Sequence, residues 1–440
     1  MDKKNSMLTL SLNAQPSLLP VVTQFVESSA NVFGLGKNEC LKLVLATEEI
    51  FVYLCNFVCG GKDMEIQCVN GLYYAKVRFR FSAAEMNLRG LNIASTISHE
   101  RQSDLEEMGL MIASKSVERL NVVIEKNNRV SLEVFKEKVY PKISETFLPA
   151  KNLEDISIET PDAERLKLFA GMAAQYCDDP HSPPFLKYPG KILDMVAGGE
   201  YQSLVAINKK KEVIGGIIYF NRTEKIVQCF GPYLFHQEKQ AEQGNLLLNA
   251  CIGKIARTKA LGLLVVSGLP ETLQSGFETL GSFNYYAEGK EPLVKTPFYR
   301  HLHEDPGCEV WSHPDLDDYL RSEYDRLFLA RTIRTIKNMG ESRLGNSLFQ
   351  AEIQREKSEV NLFPLMPGAD FFTNVERHVR FLRDDGLLNI FFSLDLGFSW
   401  HLELIPALIA NNFRPCMVLP FAGISDLITF QYDYDAAKSR

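Results

Sequence analysis

Between Tyr73 and Phe81 apolar and charged residues alternate: Val77, Phe79 and Phe81 fall on one side, Lys76, Arg78 and Arg80 on the other. A period of two belongs to an extended strand, and a strand with one charged side belongs to a sheet with one packed and one wet face. Such a sheet needs helices over its apolar face, and the flanking text supplies them. Pro20 to Phe33 and Glu39 to Val58 read as helices, the second carrying Leu41, Leu45, Ile50, Leu54 and Phe57, with Asn38 at its cap position. Further strands are expected over Met7 to Leu12, Met64 to Val69, Asn121 to Glu125 and Arg129 to Phe135, the last two joined by Lys126-Asn127-Asn128. A helix is expected over Asp104 to Leu120. Residues 1–145 therefore predict a layer of helices on a mostly antiparallel sheet.

The chain has 440 residues, and at about 150 residues per domain the prior is about three domains. Its composition, 45% apolar and 23% charged, fills more than one core and excludes a fibre or a disordered chain. Lysine and arginine number 48 against 55 acidic residues, a formal charge of −7, which removes the simplest case for nonspecific nucleic-acid binding. No apolar run reaches the roughly 18 residues that a membrane span needs, and the start lacks the apolar core of a secretion signal. The nine cysteines include one close pair, Cys55 and Cys59, with no second pair to complement it. An odd count favours buried free thiols in a reducing compartment, so the expected location is the cytoplasm, with neither membrane nor nucleic acid as partner.

Pro149 and Pro161 bracket a polar stretch that separates the first module from a second, residues 155–300. There a helix is expected over Asp162 to Tyr176, strands over Gln202 to Asn208, Val213 to Phe220 and Ile226 to Gly231, and a long helix over Glu242 to Thr258. A strand from Gly262 to Val266 and a short helix over Glu271 to Leu280 close the unit. Residues 301–440 are expected as a third segment: helix over Asp315 to Lys337, strands over Leu348 to Gln354, Val360 to Leu365, Asn389 to Leu394 and Asp426 to Tyr432, and helices over Phe371 to Asp384 and Trp400 to Ala410. His301, His303 and His313 fit no closed zinc spacing and read as loop residues. Arg331, Arg334 and Lys337 repeat a positive charge every three residues, a solvated helix face or a patch for an acidic partner.

Two pieces of the first module, LKLVLATEEIFVY at 41–53 and MGLMIASKSVERLNVVIEKNNRVSLEV at 108–134, resemble the anti-sigma-factor type of histidine-kinase-like ATPase domain. The resemblance implies an ATPase-like sandwich with ATP and magnesium near Glu49 and with backbone N–H groups near Gly109 facing phosphates. It also implies losses. Tyr53 stands where the family has a magnesium-binding Asn, and a phenol is a poor ligand for Mg²⁺. Asn56 has the wrong spacing, and Ser82, Ala83, Ala84 and Glu85 stand where an Asp-x-Gly should follow the strand. The expectation is a nucleotide-binding fold without its magnesium chemistry.

In the second module VAINKKKEVIGGIIYF, VQCFGPYLF and FETLGSF resemble the GNAT N-acyltransferase family. The resemblance implies an acetyl-CoA or other acyl-CoA cofactor whose pyrophosphate lies at a helix start rich in small residues. Ala241-Glu242-Gln243-Gly244-Asn245-Leu246 occupies that place, so Gly244 and Asn245 are the candidate cofactor contacts. Glu242 brings a negative charge, Leu246 is bulky, and Lys239 and His236 stand close by. Phe277 occupies the position of a family general acid and has no proton to give. Tyr285, Tyr286, Cys229 and Glu212 are the other groups with reactive side chains, and a bulged strand near Ile226 to Gly231 would supply a backbone donor. The ending FRPCMVLPFAGISDLITFQY resembles the close of a second GNAT-like lobe without a pyrophosphate loop, read as a packing or ligand-shaping lobe. The fold expected is thus α+β and multidomain: an ATPase-like sandwich over 1–145, a GNAT-like domain over 155–300 and a second lobe over 301–440. The resemblances imply a CoA-dependent N-acyltransferase-like protein with a non-hydrolysing regulatory module. The alternative is a non-catalytic signalling or partner-switching protein that recognises a small molecule or peptide and a regulatory protein.

Overall fold

The computed structural model describes residues 6–57, 63–82, 88–94, 102–124, 129–177, 182–236, 238–337, 343 and 345–434. Ala83, Ala84, Glu85, Cys59 and the turn Lys126-Asn127-Asn128, all invoked above, lie outside them. The chain forms two compact units, and each draws on separated stretches of sequence. The first contains residues 1–139, 338–354 and 359–392; the second contains 140–337, 355–358 and 393–440. The stretch 301–440 is thus divided between both.

In the first unit the strands are β1 (Met7–Asn13), β2 (Asp63–Asn70), β3 (Tyr74–Ser82), β4 (Arg119–Ile124) and β5 (Arg129–Glu137). They form one antiparallel sheet in the order β1-β2-β3-β5-β4. Helices α1 (Leu19–Val32), α2 (Lys37–Phe57) and α3 (Gln102–Ser116) cover the face that carries Val77, Phe79, Phe81, Leu132 and Val134. The alternation in β3 behaves as its period demands, with Ala75, Val77, Phe79 and Phe81 buried. On the opposite face Glu133 receives Arg78 at 2.5 Å and Lys76 at 3.1 Å. Burial alone pushes the Glu133 carboxyl up, but its two cations outweigh that and hold it below the ordinary value.

The first unit is completed by residues far along the chain. Strands β17 (Leu348–Gln354) and β18 (Glu359–Met366) pair antiparallel, and β18 pairs parallel with β19 (Asn389–Asp395) through helix α8 (Phe371–Asp384). Leu348 belongs to the same core as α2 and β3. The Asn92 amide clasps this segment, donating to the Ser347 carbonyl and accepting from Phe349 N–H, both at 2.9 Å. Asn374 donates to the same Ser347 carbonyl at 3.0 Å. One turn on, His378 Nδ1 lies 2.8 Å from the Asn374 carbonyl, while Nε2 is buried with no hydrogen-bond partner.

The second unit is built on a seven-stranded sheet. Its strands are β6 (Ser157–Glu159), β7 (Gln202–Ile207), β8 (Val213–Asn221), β9 (Ile226–Leu234), β10 (Gly262–Ser267), β11 (Glu278–Thr279) and β14 (Phe298–His301). The order is β11-β14-β10-β9-β8-β7-β6, antiparallel except where β9 meets β10. Helices α4 (Ala163–Tyr176) and α5 (Pro189–Ala197) pack on one face and α6 (Gln240–Ile255) on the other. β8 is accordingly buried along nearly its whole length, as a strand covered on both faces must be. Asp162 starts α4 by accepting the Arg165 N–H at 2.9 Å, a side-chain cap one residue before the helix. A hairpin, β12 (Phe283–Tyr285) with β13 (Leu293–Lys295), follows β11.

Three expectations fail here for identifiable reasons. Asp315 to Lys337 is not one helix. After α7 (Asp317–Arg326) the chain turns and becomes β16 (Arg331–Thr335), parallel to β15 (Cys308–Ser312). Arg331 leaves the charge stripe altogether: its buried guanidinium binds Asp426 at 2.6 Å and Asp305 at 2.8 Å. Arg334 pairs with Glu309 on the adjacent strand. Second, Glu271 to Leu280 gives only a 3-10 turn, Glu271–Gly276, before β11. Third, Trp400 to Ala410 divides into a 3-10 turn, Ser399–Leu404, and the short α9 (Ile405–Ala410), which leads to β20 (Phe413–Leu419) paired with β21 (Leu427–Tyr432). No helix among the described residues is long and apolar enough to cross a membrane.

Candidate functional site

The start of α6 is where the sequence placed a cofactor cradle. The helix begins at Gln240 after Lys239, whose φ of +56° turns the chain into it without any side-chain cap. The Gln243 N–H already bonds the Lys239 carbonyl at 3.0 Å, so the backbone ladder is established before Gly244 is reached. Gly244 is buried for a different purpose. A Cβ placed on it would lie 2.4 Å from Leu273 Cδ1 and 3.5 Å from Leu234 Cδ1, so the missing side chain makes room for Leu273. Asn245 is exposed beyond the first turn. Neither residue presents a free helix-start N–H.

The polar groups around this start are acceptors and acids more than donors. Glu238, Lys239 and Glu242 are exposed. Gln243 is completely buried; its amide nitrogen reaches the Glu238 carbonyl at 3.5 Å, and its Oε1 has no hydrogen-bond partner. His236 Nε2 is also buried and unpartnered, and desolvation holds the ring below its ordinary pKa against the opposing pull of Glu238. A CoA diphosphate needs converging donors and positive charge. A first turn with Glu242 in it, a glycine filled by leucine and a buried amide oxygen do not fit that group.

The neighbouring strand ends differ from the rest of the sheet. β9 and β10 pair in parallel from Ile226 with Gly262 to Phe230 with Ser267, with a register shift at the end. β9 then continues to Leu234 along β8 alone. Between Phe230 and Tyr233 it holds one residue more than β8 does between Ile218 and Gly216, so the expected bulge is present. It contains Gly231 at φ +94° and a cis Gly231–Pro232 peptide. Gly268, at φ +80°, comes so near that a Cβ on it would lie 3.0 Å from the Gly231 Cα. Two glycines therefore let the strand ends touch before β10 turns away, and Ser267 Oγ is buried there with no hydrogen-bond partner. Beyond that contact the β10 side of β9 has no strand partner among the described residues.

The candidate reactive side chains do not converge on this place. Cys229 is fully buried among apolar groups, and burial drives its thiol well above the ordinary value. The Tyr285 hydroxyl donates to the Lys357 carbonyl at 3.3 Å, and Tyr286 packs edge-on against Tyr434. Glu212 accepts from the Asn208 amide at 2.8 Å within a turn. Phe277 lies beside the Arg300 guanidinium, 5.9 Å from ring centre to charge. His313 is a turn cap that accepts the Asp315 N–H at 3.2 Å.

In the first unit Glu49 and Gly109 do come together, though not as a nucleotide site. Gly109 lies within α3 rather than before it, and a Cβ there would be 2.3 Å from Glu49 Oε2. The glycine lets the two helices approach closely enough for the carboxylate to rest on the α3 backbone. Burial, then the neighbouring Glu48, raises the Glu49 carboxyl above its ordinary value. Tyr53, one turn on, is buried. This donor set does not fit magnesium-bound ATP.

No protein-family model matches the chain, and no curated protein matches it. Solved acetyltransferase structures are similar to about a third of it. One is a GNAT-superfamily phosphinothricin acetyltransferase from Sinorhizobium meliloti in complex with AcCoA: 18% identity, 34% of this chain, 89% of that chain, TM-score 0.28. A second is an aminoglycoside 6′-acetyltransferase type Ii, at 11% identity over 34% of this chain and 99% of that one, TM-score 0.27. A third is a GNAT-family acetyltransferase from Staphylococcus aureus Mu50, at 18% identity over 34% and 99%, TM-score 0.25.

The strand end escaped the sequence reading although its letters were in view. Gly231-Pro232 and Ser267-Gly268 are each a turn signal at the end of an apolar run. Only their meeting in space gives them a common purpose.

Proposed function

We propose that the second unit is a recognition module of acyltransferase type, which holds an extended chain against the end of β9, and that the protein works by binding rather than by CoA-dependent acyl transfer. The observation that carries this reading is the run of β9 past its last β10 partner, Phe230, to Leu234. A strand side without a neighbouring strand recognises a chain through its backbone, with buried apolar side chains shaping the fit. Lack of a converging acid or base supports the non-catalytic side of the reading, since Cys229, Glu212 and Tyr285 are each otherwise engaged. The first unit takes a regulatory protein partner in the same reading, because Glu49 packs against Gly109.

Acyl transfer is the second reading, favoured by the bulge at Gly231, since a backbone N–H beside a thioester carbonyl stabilises its oxyanion without any side chain. The deciding experiment follows thiol release from acetyl-CoA and from S-acetyl-pantetheine with spermidine or a lysine peptide as acceptor. The recognition reading expects release at the rate without protein. Release proportional to protein concentration, and lost on heat denaturation, would establish the enzyme.

A further inference from the structure

The two ends of the candidate site make opposite demands on a ligand. Along β9 the chain meets backbone, apolar side chains and the unpartnered Ser267 hydroxyl. At the α6 start it meets Glu238, Lys239 and Glu242, a formal charge of −1 from two acids and one base. Gln243 Oε1 adds a buried acceptor that lacks a donor. Phosphate oxygens are themselves acceptors and anionic, so they gain nothing from an amide oxygen and are repelled by the two carboxylates. Leu273 fills the space that a small residue would have left open, because Gly244 has it as a neighbour at 2.4 Å from the Cβ position. An uncharged chain bearing amides meets neither penalty: its N–H groups match the orphan acceptor, and its carbonyls match strand N–H groups and the Ser267 hydroxyl.

We infer that the ligand of this site is an uncharged, amide-bearing extended chain without a diphosphate, either an acylated pantetheine arm or a peptide segment. The inference rests on the proposed recognition site at β9 and deepens it. CoA would then bind only through its pantetheine part, with its nucleotide end contributing nothing.

The full chain should be titrated with acetyl-CoA, with S-acetyl-pantetheine and with a capped neutral pentapeptide, from about 50 to 300 mM salt, where screening of charge contacts becomes strong. Acetyl-CoA and S-acetyl-pantetheine should bind within about threefold of each other and without salt dependence, a difference of less than about 1 kcal/mol. Binding of the peptide alone assigns the same chemistry to a peptide segment. Acetyl-CoA binding about tenfold or more tighter than S-acetyl-pantetheine, and weakening with salt, overturns the inference while leaving a ligand site at β9. No response from any of the three overturns both the inference and the recognition reading.

Discussion

The packing role of Gly244 makes a prediction that an anion cradle would not. Adding one methyl to Gly244 drives a Cβ to 2.4 Å from Leu273 Cδ1, well inside contact distance, and Leu273 is itself buried. Overpacking of this kind costs about 1–3 kcal/mol, and replacing glycine by alanine within a helix returns about 1 kcal/mol. Gly244→Ala should therefore destabilise the second unit by about 1 kcal/mol, the difference of those two terms. Leu273→Ala alone leaves a cavity and should cost about 2–5 kcal/mol. In the double variant the new methyl occupies part of that cavity and the clash is gone. The two changes should then be less costly together than their sum by about 1–2 kcal/mol, far outside the additivity expected of independent sites. Native-state hydrogen exchange at Val227 and Leu264, in the middle of the sheet, reads the stability of this unit without requiring the whole chain to unfold in one step. A coupling below about 0.5 kcal/mol would show that Gly244 and Leu273 do not meet and would refute the packing argument.

Other consequences can be checked separately. Arg331→Met leaves Asp305 and Asp426 buried without their cation, so exchange in the second unit should accelerate by an amount equivalent to about 3–5 kcal/mol; adding Asp305→Asn and Asp426→Asn should recover much of it. His378 is held at about 4, chiefly by desolvation, against an ordinary 6.5. The unfolded chain therefore takes up a proton first as pH falls, and the first unit should lose about 2 kcal/mol between pH 6.5 and 5; His378→Leu should flatten that slope in hydrogen exchange at Phe79 and Leu132. Burial pushes Cys251 up to about 12 and Cys229 well above its ordinary value. Mass spectrometry after iodoacetamide treatment near pH 7.5 should find both unmodified in the native protein and alkylated in denaturant; rapid native labelling of Cys229 would contradict its place in the core.

Where local pattern decided the structure, the sequence was readable. Phe371–Asp384 is a helix over the span expected, because its apolar residues recur on one face and nothing distant overrides them. β3 alternates as its letters do. The misreadings lie where a partner far along the chain decides the outcome. Arg331 was grouped with Arg334 and Lys337 by spacing, yet its position is set by Asp426, ninety-five residues away. β20 was missed because Pro415 argues against a strand; the proline is tolerated at a register shift in the pairing with β21. Gly244 was noticed for the right reason, its small size, but no local signal reveals that Leu273 is what fills the space.

The interleaving of the two units has a consequence for synthesis. A ribosome releases Met1 to Val139 long before Leu348, yet Leu348 is part of the core that those early residues build, and Asn92 waits for Ser347 and Phe349. Nearly the whole of the second unit's first stretch, Tyr140–Lys337, is translated in between. At the roughly 5–20 residues per second of translation, the early sheet stands unfinished for on the order of ten to forty seconds. During that interval its apolar surface is open to chaperones and to neighbouring nascent chains. A fragment ending near residue 145 would hold the molecule permanently at that stage.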